Sequence, residues 1–187
     1  MCSDHKTADG ISRRGFAAMA ATAGAGLSLL PMRALAAGAP VEALCVMCID
    51  YRLVDQGVKF FDALRGPGWS LKGSYDLAVL AGASLASVSQ MFPASVDALW
   101  NHVTIAHTLH AIKRVVVLDH RDCGAYRQEF GPLYNGDNGA GELAQHRGVM
   151  QRMKAQFLAR GFDKFNLEMH FYLMSATAPY PIEPVIV

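Results

Sequence analysis

Cysteine is scarce in this chain. Its 187 residues carry only Cys2, Cys45, Cys48 and Cys123, whereas a disulfide-stapled mini-protein packs more cysteine into a shorter chain. An excess of either charge is missing as well. Lys and Arg number 17 against 16 Asp and Glu, a formal net charge of +1. Nothing there draws the chain onto nucleic acid or an anionic membrane surface. The mildly apolar run from Ala17 to Leu30 falls short of the roughly 20 residues that a spanning helix needs. No internal repeat or heptad pattern is present, which excludes solenoids and coiled coils. The length suits one domain plus a leader and is too short for two ordinary domains.

The leader is legible at the N-terminus. Ser12-Arg13-Arg14-Gly15-Phe16 sets a twin-arginine pair ahead of the Ala- and Gly-rich run. Pro31, Arg33 and the small-residue site Ala34-Leu35-Ala36 follow. The stretch resembles a bacterial twin-arginine export signal. It implies a signal peptide over 1–36, a mature domain over 37–187, a periplasmic location and no stable membrane insertion once the leader is removed. Cys2 would leave with it. That route carries folded proteins, often with a cofactor already in place, which suits a metalloprotein.

In the mature part, Val41 to Ile49 is a continuous apolar run too short for a helix, and reads as a strand buried on both faces. Leu53 to Leu64 has Val54, Val58, Phe61 and Leu64 at helical spacing, and Gly66-Pro67-Gly68 stops it. Asp76 to Ala83 reads as a second buried strand, with Leu77-Ala78-Val79-Leu80-Ala81 running into Gly82. Pro93 and Ser95 open a helix with Val96, Leu99, Trp100, Val103, Ala106 and Leu109 on its apolar stripe. Val115-Val116-Val117-Leu118 is the clearest strand, and it delivers His120. Gly131 to Gly141 is a loop, and Glu142 to Arg160 a helix with Leu143, Val149, Met150, Met153 and Phe157 inward. Leu167 to Met174 is a last strand, and Pro179, Pro181 and Pro184 keep the tail extended. The alternation predicts a single α/β domain with a mainly parallel central sheet flanked by helices. Ligands bind such sheets at the carboxyl ends of the strands.

Two chemistry-bearing segments fall at those ends, Cys48-Ile49-Asp50-Tyr51-Arg52 and His120-Arg121-Asp122-Cys123-Gly124. If the first and third strands are neighbours, the segments meet. Cys48, His120 and Cys123 make a three-ligand set for Zn2+, which takes thiolate and imidazole in a tetrahedral shell and keeps a fourth position open in catalytic sites. Spacing alone also allows a closed four-ligand site with Cys45, although strand alternation points Cys45 and Cys48 to opposite faces. Other readings are two buried thiols serving as small core residues, or a Cys45–Cys48 redox pair.

The two motifs, in this order and at strand ends, resemble those of the β-class carbonic anhydrases, and the likeness runs from about Ala43 to Met174. It implies that Cys48, His120 and Cys123 bind zinc and that a zinc-bound hydroxide converts CO2 to bicarbonate. Asp50 and Arg52 would be the catalytic pair beside the metal, Arg52 fixing the carboxylate by a forked contact and Asp50 aiming the reacting oxygen. Dimers or multiples of dimers are implied too.

This sequence departs from the family pattern in three places within the domain, and an export leader stands where many family dimers exchange a helical arm. Tyr51 stands where serine is frequent, Asp119 precedes the motif histidine in place of glycine, and Ala81-Gly82-Ala83-Ser84 lacks the family's arginine and asparagines. These changes raise two alternatives, a zinc hydrolase for another small electrophile such as COS or CS2, and a non-catalytic periplasmic zinc-binding protein. Elsewhere, Asp122 is expected to pair with Arg121 or a helix end. His102, His107 and His110 are expected at the border of their helix's apolar stripe or at its surface, with the three-residue spacing of His107 and His110 leaving a metal pair as the alternative. Tyr51 and Tyr126 are expected in aromatic packing, and His146 and His170 have no visible partner.

Overall fold

The structure, a computed structural model, describes residues 40–134 and 139–187. The expected export leader over 1–36, and part of the expected loop over 131–141, lie outside the described residues.

Strand β1, Ala43–Met47, is buried along its whole length. Its residues alternate between two cores. Ala43, Cys45 and Met47 face one, and Leu44, Val46 and then Cys48 face the other. Helix α1, Val54–Ala63, closes the first core with Gly57 and Phe61 inward, while Val54 of the expected stripe is exposed. Gly57 allows the close approach, since a Cβ there would lie 2.5 Å from the Met47 side chain. A two-residue hairpin, β2 (Arg65–Gly66) with β3 (Trp69–Ser70), turns the chain back.

Strand β4, Tyr75–Val79, pairs in parallel with β1 and ends the sheet. The sequence suggested a strand buried on both faces, but Leu77 is 42% and Val79 39% exposed. Apolar content alone does not separate an edge strand from a central one. A 3-10 segment, Ala83–Ser87, and helix α2, Pro93–His110, follow. Leu99, Trp100, Val103 and Ala106 of α2 are buried as expected, while Leu109 is exposed.

Strand β5, Arg114–His120, is the sheet's centre. It pairs in parallel with β1, with Met47 opposite Leu118. The first and third main strands are therefore neighbours, and both motifs emerge at one sheet edge. Helices α3, Gly124–Phe130, and α4, Ala140–Ala159, lead to β6, Glu168–Met174, which is parallel to β5. The tail is not strand-free. β7, Ile182–Pro184, pairs antiparallel with β6, so the expected last strand is the penultimate one. The five-stranded order is β4-β1-β5-β6-β7, with α2 and α4 on the second core and α1 on the first. Each aliphatic residue buried in these layers contributes roughly 1.5–3 kcal/mol of transfer free energy. The single α/β domain with a mainly parallel sheet is thus present as read. No helix among the described residues is long and apolar enough to cross a membrane.

Candidate metal centre

Cys48 lies one residue beyond β1, His120 ends β5, and Cys123 precedes α3. Their ligating atoms lie within 4.8 Å of one another, and all three residues are buried. The two sulfurs are 3.9 Å apart. Tetrahedral zinc with Zn–S bonds of about 2.3 Å places two sulfurs about 3.8 Å apart. The imidazole is set for ligation too. Its Nδ1 sits 2.8 Å from the Arg121 carbonyl oxygen, which can only accept, so Nδ1 carries the proton and Nε2 offers a lone pair. Nε2 is buried without a hydrogen-bond partner. An orphaned acceptor between two thiols fits a metal ion better than a packed core.

The charges agree. The Cys48 thiol is pulled down to about 4 by the hydrogen bond from Cys123, against the cost of burial, with help from His120 and the Gly82 amide. Cys123 is pushed up by the same contact and by its burial. The Gly82 amide donates to Cys48 Sγ at 3.3 Å. Gly82 has φ of +77°, and a Cβ there would come within 2.8 Å of Leu85, so only glycine delivers that amide without strain. Burial works against charge on His120, yet the Cys48 thiolate, the Arg121 carbonyl and Asp50 carry the net shift upward.

Asp50 stands at the open side, its Oδ2 3.9 Å from His120 Nε2. Arg52 grips it by a fork, Nη2 to Oδ2 at 2.7 Å and Nε to Oδ1 at 3.0 Å, and the Arg52 backbone amide donates to the same carboxylate. That grip holds the Asp50 carboxyl below the usual range. Arg52 also reaches the Asp122 carboxylate and carbonyl, each at 3.2 Å. Asp122 therefore joins the two motifs through Arg52 and also meets Arg127 at 2.7 Å, which replaces the expected pairing with Arg121 or a helix end. A cavity of about 270 Å³ opens beside Cys48 and Asp50, walled by Ile49, Ala81, Phe92 and Gln128. Larger hollows of about 540 and 450 Å³ lie along α2, away from the ligating groups.

Cys45 takes no part in this group. It is fully buried in the opposite core, and burial pushes its thiol well up. Tyr51 is 87% exposed, against the expectation of packing, whereas Tyr126 is fully buried. His107 packs on Phe165, and His110 pairs with Asp76 at 2.7 Å. His170 meets Glu168 at 3.2 Å.

Behind the metal centre lies a layer that the motifs did not announce. The Asp119 carboxylate accepts from the Ser84 amide and hydroxyl, the Tyr126 hydroxyl and His146 Nδ1, all between 2.6 and 2.9 Å. Two of the departures from the family pattern, Asp119 and Ser84, are thus partners of each other. Glu142, fully buried, accepts from the Asp122 amide and from the Tyr134 hydroxyl. A signal for Glu142 and His146 existed. They continue the inward face of α4 marked by Val149, Met150, Met153 and Phe157, so they are polar residues at buried positions.

No family model matches the chain. An uncharacterised protein of Rickettsia bellii is 35% identical over 85 residues, which are 46% of this chain and 49% of that protein. The chain thus spans about half the length of the curated relatives it matches. The carbonic anhydrase from Streptococcus mutans superposes with a TM-score of 0.51 at 18% identity, covering 91% of this chain and 94% of that one. The fold is that of the β-class carbonic anhydrases. A carbon disulfide hydrolase also superposes, with a TM-score of 0.40 at 11% identity, over 81% of each chain. At 18% identity the likeness to the Streptococcus mutans enzyme is one of fold.

Proposed function

We propose that the chain is a zinc enzyme that interconverts CO2 and bicarbonate, with Cys48, His120 and Cys123 as ligands and Asp50 and Arg52 as the catalytic pair. The observation that carries this reading is the orphaned His120 Nε2 between two thiols, with the forked Asp50–Arg52 pair beside it. A structural zinc site has no use for that pair. When bound, zinc lowers the pKa of a water to about 7 and so supplies a nucleophile at neutral pH.

The chain's own residues do the rest. Arg52 keeps Asp50 ionised and fixes its orientation, so Asp50 accepts a hydrogen bond from the reacting oxygen and aims its lone pair. Asp122 holds Arg52 from the far side. Ile49, Ala81 and Phe92 give the cleft an apolar wall suited to a small uncharged substrate. Stopped-flow CO2 hydration at pH 8 on zinc-loaded, leader-free protein tests the reading. Acceleration far above buffer is expected, and none, with zinc confirmed bound, would overturn it.

The altered segment Ala81-Gly82-Ala83-Ser84 favours a second substrate class on the same centre, COS or CS2. Turnover of these in the absence of CO2 hydration selects it. Turnover of neither, with zinc held, leaves a non-catalytic zinc-binding protein. The twin-arginine motif supports export to the periplasm, tested by replacing Arg13 and Arg14 with lysine and fractionating cells. We further propose at least a dimer, supported by the exposed apolar Ile49 at the cleft and by exposed Tyr51 two residues on and tested by sedimentation.

A further inference from the structure

We infer that Glu142, from helix α4, is a positioning residue for the metal centre: with Tyr134 it fixes the 121–123 turn that presents Cys123. The inference rests on the metal-site reading above. The turn is awkward. Asp122 has φ of +55°, a left-handed conformation that is uncommon outside glycine, although Asp enters it more readily than most residues. It also leaves two consecutive amides, of Asp122 and Cys123, facing the interior without a strand or helix partner. Glu142 Oε1 accepts the Asp122 amide, and the Tyr134 hydroxyl accepts the Cys123 amide at 2.9 Å while donating its proton to the same Glu142 oxygen. One buried carboxylate and one phenol therefore satisfy both amides.

On the other side of the turn, Arg52 holds the Asp122 carbonyl and carboxylate. The turn is gripped from both sides, and Cys123 Sγ has little freedom to leave its place 3.9 Å from Cys48 Sγ. Glu142 has no exposed surface. Two donors meet its Oε1, and the Arg121 guanidinium stands beside Oε2, with Nη1 at 3.7 Å. A carboxylate this costly to bury is retained for the geometry it imposes. Partners one step behind metal ligands commonly alter metal affinity 10–100-fold when removed.

The test is zinc affinity, measured by competition with a chromophoric chelator on folded protein, together with the visible spectrum of the cobalt form. Glu142→Ala is expected to weaken zinc about 10–100-fold and to shift the sulfur-to-cobalt bands as Cys123 moves. Tyr134→Phe should do the same to a smaller degree. Glu142→Gln, which keeps an acceptor for both donors, should restore most of the affinity and the wild-type spectrum. A role confined to stability would lower the melting temperature of the metal-free protein and leave affinity and spectrum of the folded fraction unchanged, which overturns the inference. If Glu142→Ala does not fold, Tyr134→Phe and Glu142→Gln decide on the same readouts. Wild-type protein that binds no zinc would instead overturn the metal reading itself.

Discussion

The two sides of the metal centre are built on opposite principles. The Cys48–Arg52 side is local and wet. Asp50 and Arg52 sit two residues apart, Tyr51 between them is exposed, and the fork is made within one turn of chain. The His120–Cys123 side is remote and dry. Asp119 is held from the 3-10 segment, α3 and α4, and the turn after His120 by Glu142, 20 residues away from Asp122. The exposed side has groups free to meet substrate. On the buried side Asp119 and Glu142 accept from the amides, hydroxyls and imidazole packed behind the ligands. Function and rigidity are therefore expected to separate on mutation.

The sharpest way to break that division is at the shared ligands. Cys123→Ala and His120→Ala are each expected to reduce the zinc content of purified protein to background, with the fold kept by circular dichroism; retained stoichiometric zinc would contradict the ligand set. On the wet side, Asp50→Asn and Arg52→Ala should lower kcat/KM for CO2 hydration about 100-fold with zinc retained and stability hardly changed. On the dry side, Asp119→Asn should cost about 3 kcal/mol in chemical denaturation, because an amide nitrogen would then oppose the Ser84, Tyr126 or His146 donors. If Asp119→Asn proved neutral in stability while Asp50→Asn unfolded the protein, the division would be reversed.

Two smaller effects sharpen the picture. Glu129 accepts from the Ser89 hydroxyl and the Gln90 and Met91 amides, and so anchors the segment that carries Phe92 into the cleft. Burial alone would raise its pKa, but these three donors carry the net shift downward. Its contribution is thus present above the ordinary glutamate value and lost as pH falls through the lowered one. Glu129→Gln should cost about 1 kcal/mol at pH 7, by denaturation, and nothing once the carboxyl is protonated in both states. Cys45→Ala should cost about 1 kcal/mol or less and leave zinc stoichiometry untouched, whereas a four-ligand site would lose affinity.

How much of this was legible follows from the same division. The ligands, Asp50 and Arg52 are short-range motifs at the ends of apolar runs, and the valine run marked β5, while its place beside β1 stayed a condition until the sheet order was known. Ser84 and Tyr134 were not legible, because they reach the centre from other elements and share no spacing with it, while Glu142 and His146 were marked only as polar residues on the inward face of α4. Asp119 stood out only as an oddity until Ser84 appeared 2.6 Å from it. The edge position of β4 was hidden because its apolar residues look the same whether a neighbour covers them or not. The antiparallel β7 was hidden among prolines, which read as an extended tail and are tolerated on an edge strand.

The central claim is an open, three-ligand zinc centre made by Cys48, His120 and Cys123. X-ray absorption at the zinc edge of zinc-loaded, leader-free protein tests it most directly. The account predicts two sulfurs at about 2.3 Å and two nitrogen or oxygen neighbours at about 2.0–2.1 Å, one of them with the outer-shell scattering of a single imidazole. A shell with three sulfurs, or one with none, would contradict it.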